Sequence, residues 1–306
     1  MHEIERTIDE LVLHAPQVHR NLALHPLVGA EDRPRDYLLL EEALERGLAR
    51  VDEVSVGGSV PEVALENLSE WRILLVDGDV LAGARQNRTI NLSILVAPGA
   101  KLTVPVACVE QGRWSYRTRG FAASGDMLYP RARAEKIRSV SDSMRATGRR
   151  HADQRALWED VAQKVHFSRV DSPSMSLNDA YRAVDGDLAD FVAAFRPEPR
   201  QRGAVIAIDE RIAGVELFDS PDTYARVLPR LVRAYAIDAL ESERTAAPSA
   251  SADDARRFLD RIKTAKVERF KAIGEGEDLR IGGGDLAGGA LGCDERVIHG
   301  AVLALA

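Results

Sequence analysis

Two segments place chemistry-bearing residues where a sheet would keep its aliphatic side chains. In "GARQNRTINLSILV", residues 83–96, Ile90, Leu92, Ile94 and Val96 alternate with Thr89, Asn91, Ser93 and Leu95. That period of two marks a half-buried strand. Continued towards the N-terminus, the apolar face becomes Arg88 and then Gln86. In "KLTVPVACVEQGRW", residues 101–114, Leu102, Val104 and Val106 share a face with Cys108 and Glu110. On a strand the last two would lie ~6.6 Å apart. "APGA" joins the segments, so they are expected to pair antiparallel. Gln86 and Arg88 then lie opposite Cys108 and Glu110.

A buried charge is costly unless it is paired and hydrogen-bonded. Arg88 and Glu110 are therefore expected to satisfy each other, with Gln86 and Asn87 beside them. A purely structural ion pair is the competing reading. As a site, the cluster would offer Glu110 as the first candidate carboxylate and Asp79 as the second, with Arg88, Arg113, Gln86, Asn87 and Trp114 as candidate binding residues. Cys108 is flanked by apolar residues with no adjacent histidine or lysine, which describes an inert buried thiol.

Other motifs carry less. The "DGD" at residues 77–79 is a β-turn signal that would also accept magnesium; no spacing requires a metal. "GGGDLA", residues 282–287, formally fits a dinucleotide fingerprint, but "GGALGCDE" is a poor helix and the fingerprint works only before one. The stretch reads as a mobile loop or turn. His19 and His25 stand six residues apart, too far along a strand to share a ligand. His299 in "RVIHGAVLAL" reads as a structural strand residue.

The chain has 306 residues, 45% hydrophobic and 29% charged, with a formal net charge of -7. That composition supports a full globular core. An acidic chain lacks the basic surface by which nucleic acid is held, so no nucleic-acid partner is expected. Composition leaves the oligomeric state open. Six lysines stand among 41 basic residues, so arginine is the default cation. Two cysteines make no disulfide framework. "MHEIERTIDELVLH" lacks the basic start and apolar run of a signal peptide, and no stretch approaches the ~20 apolar residues of a membrane span. A cytoplasmic protein that does not enter membranes is expected.

The elements that must position these residues fall in three blocks. Residues 18–116 are strand-rich after a short helix over 3–14, with one further helix at 36–47. Residues 131–244 are helical except for a hairpin at 203–218. "TAAPSASADD", 245–254, is a polar loop before another helix, and 265–306 is strand-rich again. Residues 220–244 read as one helix kinked at Pro229. Strands at both ends with helices between imply one α+β domain over 1–306, with a largely antiparallel β core.

Several segments together resemble a known family. They are "SVPE" (59–62), "DGDVLAGARQNR" (77–88), "VPVACVEQGRW" (104–114), "GVELFDSP" (214–221), "YAIDAL" (235–240) and "GEGEDLRI" (274–281). The chain resembles the ARG and rhodanese-phosphatase-superfamily-associated protein family, with aspartate at position 79 where the family pattern has glutamate. The resemblance implies a place in the metabolism of ADP-ribose or NAD-derived compounds; it supplies no catalytic set. The function expected from the resemblance is a hydrolase acting on an ADP-ribosyl or related N-ribosyl compound, taken up as a small nucleotide or NAD-derived substrate. Glu110, with Asp79 second, would then stabilise the positive charge that develops in glycosidic cleavage and activate water. Arg88 and Arg113 would hold phosphate oxygens, Gln86 and Asn87 would take sugar hydroxyls, and Trp114 would stack a base. The alternatives are a non-catalytic nucleotide-binding protein and a cysteine-dependent transferase using Cys108.

Overall fold

A computed structural model describes residues 3–55, 57–242 and 250–305. Eight helices and eighteen strands occur among them. The largest sheet runs Leu11–Leu13, Leu22–Gly29, Gln201–Ile208, Arg211–Phe218, Arg296–Ala304, Leu286–Cys293, Glu277–Gly283 and Lys266–Lys271, with Gln17–His19 paired to Leu22–Gly29. A six-stranded sheet contains Arg88–Ile90 and Lys101–Cys108, and a three-stranded sheet contains Arg72–Leu75 and Ile94–Val96. Among the described pairings only Tyr37–Leu39 with Arg72–Leu75 is parallel. The chain is thus α+β with an antiparallel core, as the two strand-rich ends imply.

Alternation along Arg211–Phe218 sets the two faces of the large sheet. Val215 and Leu217 pack with Ile4, Ile8, Phe258 and Ile262 of the helices Glu3–Asp9 and Ala252–Lys263. Phe218 joins the main core on the other side, and the same parity turns Glu216 that way. The helix Pro130–Thr147 packs over this second face. Proline begins it and Gly148 ends it in the left-handed conformation, φ 70°. Its buried stripe is Arg133, Lys136, Ile137, Val140 and Met144. That is helical spacing with two cations at the start of the apolar run.

Several elements differ from the sequence reading. Residues 3–14 give a helix only to Asp9, then the strand Leu11–Leu13. Pro26 does not close its strand; it lies inside Leu22–Gly29 and its carbonyl accepts the His14 N–H. The glycine stretch is the turn of a hairpin, with Gly283 and Gly284 at positive φ and Leu286–Cys293 as the returning strand. The long helix ends at Ala239. Residues 243–249 of the 220–244 and 245–254 readings lie outside the described residues. No described helix is long and apolar enough to cross a membrane.

Candidate functional site

The two polar strand ends meet as the register requires. Arg88 pairs opposite Cys108 and Ile90 opposite Val106. Their polar partners differ from the expected ones. Arg88 Nη1 donates to Gln86 Oε1 at 3.0 Å and to Cys108 Sγ at 2.7 Å, and its neighbouring carboxylate is Glu53, 3.8 Å from Nη2. Glu110 belongs to Arg113, whose Nε and Nη2 reach its two oxygens at 2.9 and 2.6 Å. The Asn87 N–H and the Ser174 hydroxyl donate to the same carboxylate at 3.0 and 2.7 Å. The expected Arg88–Glu110 pair is thus replaced by two adjacent knots. The strand regular structure ends at Cys108, so Glu110 follows the loop that bridges to Ser176.

This arrangement moves Glu110 away from catalysis. It is buried and both oxygens are saturated. Burial works to raise its pKa, but the hydrogen bonds from Arg113, Ser174 and Asn87 outweigh it, so the carboxyl sits below its ordinary value. A strongly held anion with no free lone pair is a poor proton acceptor. Arg113 is equally engaged, with further bonds to the carbonyls of Gly83, Ala84 and Ser115. The Asn87 amide donates to Ser176 and Asn178, and the Gln86 amide to the Gln111 carbonyl. Trp114 is 44% exposed and lies over the Arg88 and Arg85 guanidinium groups. The knots brace a loop. Glu110→Gln is expected to lower unfolding stability by about 3 kcal/mol, because it leaves Arg113 without its buried partner. Urea denaturation measures this; a loss below about 1 kcal/mol would show that the carboxylate charge is dispensable to the fold.

Asp79, the second carboxylate, lies elsewhere. It accepts from Arg230 Nε at 2.9 Å and lines a small crevice with Glu41 and Asp126. Asp77 is held by Arg133 Nε at 2.7 Å and by Lys136. Cations thus engage both carboxylates of the "DGD" turn, which disfavours magnesium there. Cys108 is buried, and burial pushes its thiol up to about 11. Its backbone N–H and C=O are both bonded to the Gln154 amide. A protonated, enclosed thiol does not suit a nucleophile.

The structure gathers a second group of residues that periodicity did not single out. Arg133 joins Asp77 to Glu216, donating from Nη1 to Glu216 Oε1 at 2.6 Å. Tyr235 donates to the same oxygen at 3.0 Å, and His299 Nε2 stands 3.4 Å from Glu216 Oε2. His299 Nδ1 meets Ser93 Oγ at 2.6 Å. Burial opposes ionisation of Asp77 and Glu216, but the facing cations prevail and both carboxyls stay below their ordinary values. Burial pulls Lys136 down to about 8 against the attraction of Asp77. Gly78 makes the approach possible: its φ is +90°, and a Cβ there would meet Arg133 Cδ and Nε at 2.9 Å.

Beside this network lies a cavity of about 10 Å³, lined by Asp77, Ser93, Ile137, Asp278, Arg280 and Gly289 among others. That is room for one water. Arg280 Nη2 holds Asp278 Oδ1 at 2.7 Å. Asp278 Oδ2 is buried and accepts no hydrogen bond. Arg150 Nε stands 3.5 Å from it. Arg150 also lines an open cleft of about 480 Å³ with Arg149, His151, Glu62 and Thr103. One side chain, Arg150, therefore touches both the cleft and the carboxylate that lines the cavity.

These residues had a signal in the sequence. The segments that carry the family resemblance converge here: Asp77 from 77–88, Glu216 from 214–221, Tyr235 from 235–240, and Asp278 and Arg280 from 274–281. Lys136 is one of only six lysines and sits on the apolar stripe of its helix. The family model described as the ARG and Rhodanese-Phosphatase-superfamily-associated Protein domain matches residues 10–303, and the chain belongs to that family. Neither a curated protein nor a solved structure matches it.

Proposed function

We propose that this member of the ARG- and rhodanese-phosphatase-associated family is a hydrolase of an ADP-ribosyl or related N-ribosyl compound, with Asp278 as the catalytic carboxylate. The observation that carries this reading is buried Asp278, which lines the small cavity and whose Oδ2 accepts no hydrogen bond and has only the 3.5 Å contact to Arg150 of the neighbouring cleft. The cleft has the size of a small-molecule site. Arg149 and Arg150 supply donors for phosphate oxygens. Asp278 takes a proton from the water as its oxygen attacks the anomeric carbon. The C–N bond breaks and its electrons leave with the nitrogen. Arg280 keeps the carboxylate oriented throughout, and Gly289 leaves room for the guanidinium, 3.2 Å from where a Cβ would stand.

A second reading, a non-catalytic nucleotide binder, draws on one observation: Arg150 stands between the cleft and Asp278. A ligand could then fill the cleft without reaching the carboxylate. Both readings need the cleft. ADP-ribose in hundredfold excess over its dissociation constant is expected to stabilise the wild type by about 2.7 kcal/mol. Arg150→Gln should lose most of that shift in thermal denaturation. A shift unchanged in a folded Arg150→Gln protein would place the ligand elsewhere.

A further inference from the structure

We propose that the protein binds a phosphoryl group, as inorganic phosphate or a small phosphomonoester, in a second cleft built around Arg202. The cleft holds about 340 Å³, and four arginines, Arg6, Arg33, Arg202 and Arg296, line it with four acidic residues, Glu10, Asp219, Asp294 and Glu295. The four arginines come from four separate parts of the chain: the helix Glu3–Asp9, the loop before Tyr37, the strand Gln201–Ile208 and the strand Arg296–Ala304. Nothing local in the sequence would assemble them.

Arg202 is the anchor. It is 3% exposed, and its buried Nε has no hydrogen-bond partner. Its Nη2 lies 3.6 Å from Glu10 Oε2, a loose contact to a carboxylate that Arg33 also engages at 3.2 Å. Arg296 has only long contacts, 3.7 Å to Asp219, 3.8 Å to Asp36 and 4.0 Å to Asp294. The Tyr37 hydroxyl donates to the other oxygen of Asp219 at 2.5 Å. Burial first, and then the nearby Arg33 charge, lower the Arg202 pKa below its ordinary value. A buried guanidinium with an orphaned donor and a second cation beside it is under-compensated. Glu10, on a partly exposed side chain, is the group an incoming anion would displace.

The donor arrangement selects the ligand class. One planar carboxylate is served by one guanidinium fork, whereas a tetrahedral dianion accepts donors from several directions. The cleft is near the lower bound for small-molecule sites, which fits a compact anion. This site does not depend on the catalytic reading.

Inorganic phosphate titrated by calorimetry, against chloride at equal ionic strength, tests it. The titration is run in wild type and in Arg150→Gln, where the other basic cleft is weakened. Arg150→Gln should keep saturable phosphate binding. Adding Arg33→Ala should weaken it by about tenfold or more, the loss of one charge-assisted contact, and adding Arg202→Met should abolish it. No heat beyond the chloride control, or affinity unchanged in the folded Arg33→Ala variant, overturns the proposal. If Arg202→Met does not fold, Arg33→Ala, whose side chain is 35% exposed, decides alone. Failure of the catalytic reading would show in turnover and leave this titration unaltered.

Discussion

Asp278→Asn is expected to lower turnover of an N-ribosyl substrate by at least about 100-fold, the usual effect of losing an acid–base group. Ligand affinity should change little. The amide keeps the size of the side chain and a carbonyl oxygen for Arg280 Nη2, which now bonds Oδ1 at 2.7 Å. What it loses is the capacity to take a proton from water. The second oxygen, Oδ2, is the informative atom, because it is buried and accepts no hydrogen bond. Glu110 and Asp77 are as deeply placed, yet their oxygens are occupied by cations and N–H donors. Their charge is used by the fold. Asp278 Oδ2 has only the long 3.5 Å contact to Arg150 Nε, so its replacement bears less on stability than that of Glu110 or Asp77. Melting temperature, affinity and turnover on this one variant give the answer. A folded, ligand-binding variant with normal turnover would remove Asp278 from the mechanism.

Arg133→Met is expected to cost about 3–5 kcal/mol of unfolding stability, the range for breaking a buried ion pair by deleting one partner. Its guanidinium serves two buried carboxylates, Asp77 through Nε and Glu216 through Nη1. The attraction of both outweighs burial and holds the arginine firmly charged. Without it, Glu216 keeps only the Tyr235 hydroxyl and the more distant His299 ring. Asp77 keeps Lys136, whose own charge is weakened by burial. Methionine restores apolar volume, so a large loss would come from the stranded charges and not from a void. Urea denaturation with an unchanged m-value reads this. A cost below about 1 kcal/mol would mean that water reaches the carboxylates and that the network is not dry.

Much of the fold was legible because it rests on local rules. The helix Pro130–Thr147 was legible in its apolar spacing, and the hairpin of Gln201–Ile208 with Arg211–Phe218 in its strand pattern. The pairing of Arg88 with Cys108 followed from strand parity. Partner choice within that polar cluster did not. Arg113 folds back on Glu110 from three residues along the loop, while Glu53 arrives beside Arg88 from a distant strand end. Neither contact has a period. The interior network was harder still, since Asp77, Arg133, Glu216 and His299 come from four elements that meet only when the large sheet is covered. A charged residue on an apolar stripe, such as Lys136, was the one local mark of it.

The central claim is cleavage at the anomeric carbon. Proton NMR of the ribosyl H1′ during incubation with NAD and with an ADP-ribosylated guanidine follows that bond directly. The account predicts that the N-riboside signal of at least one of them gives way to that of a free anomeric hydroxyl, and that Asp278→Asn suppresses the conversion. An N-riboside signal that persists in both, at protein concentrations where ADP-ribose raises the melting temperature, would contradict hydrolysis and leave a binding protein.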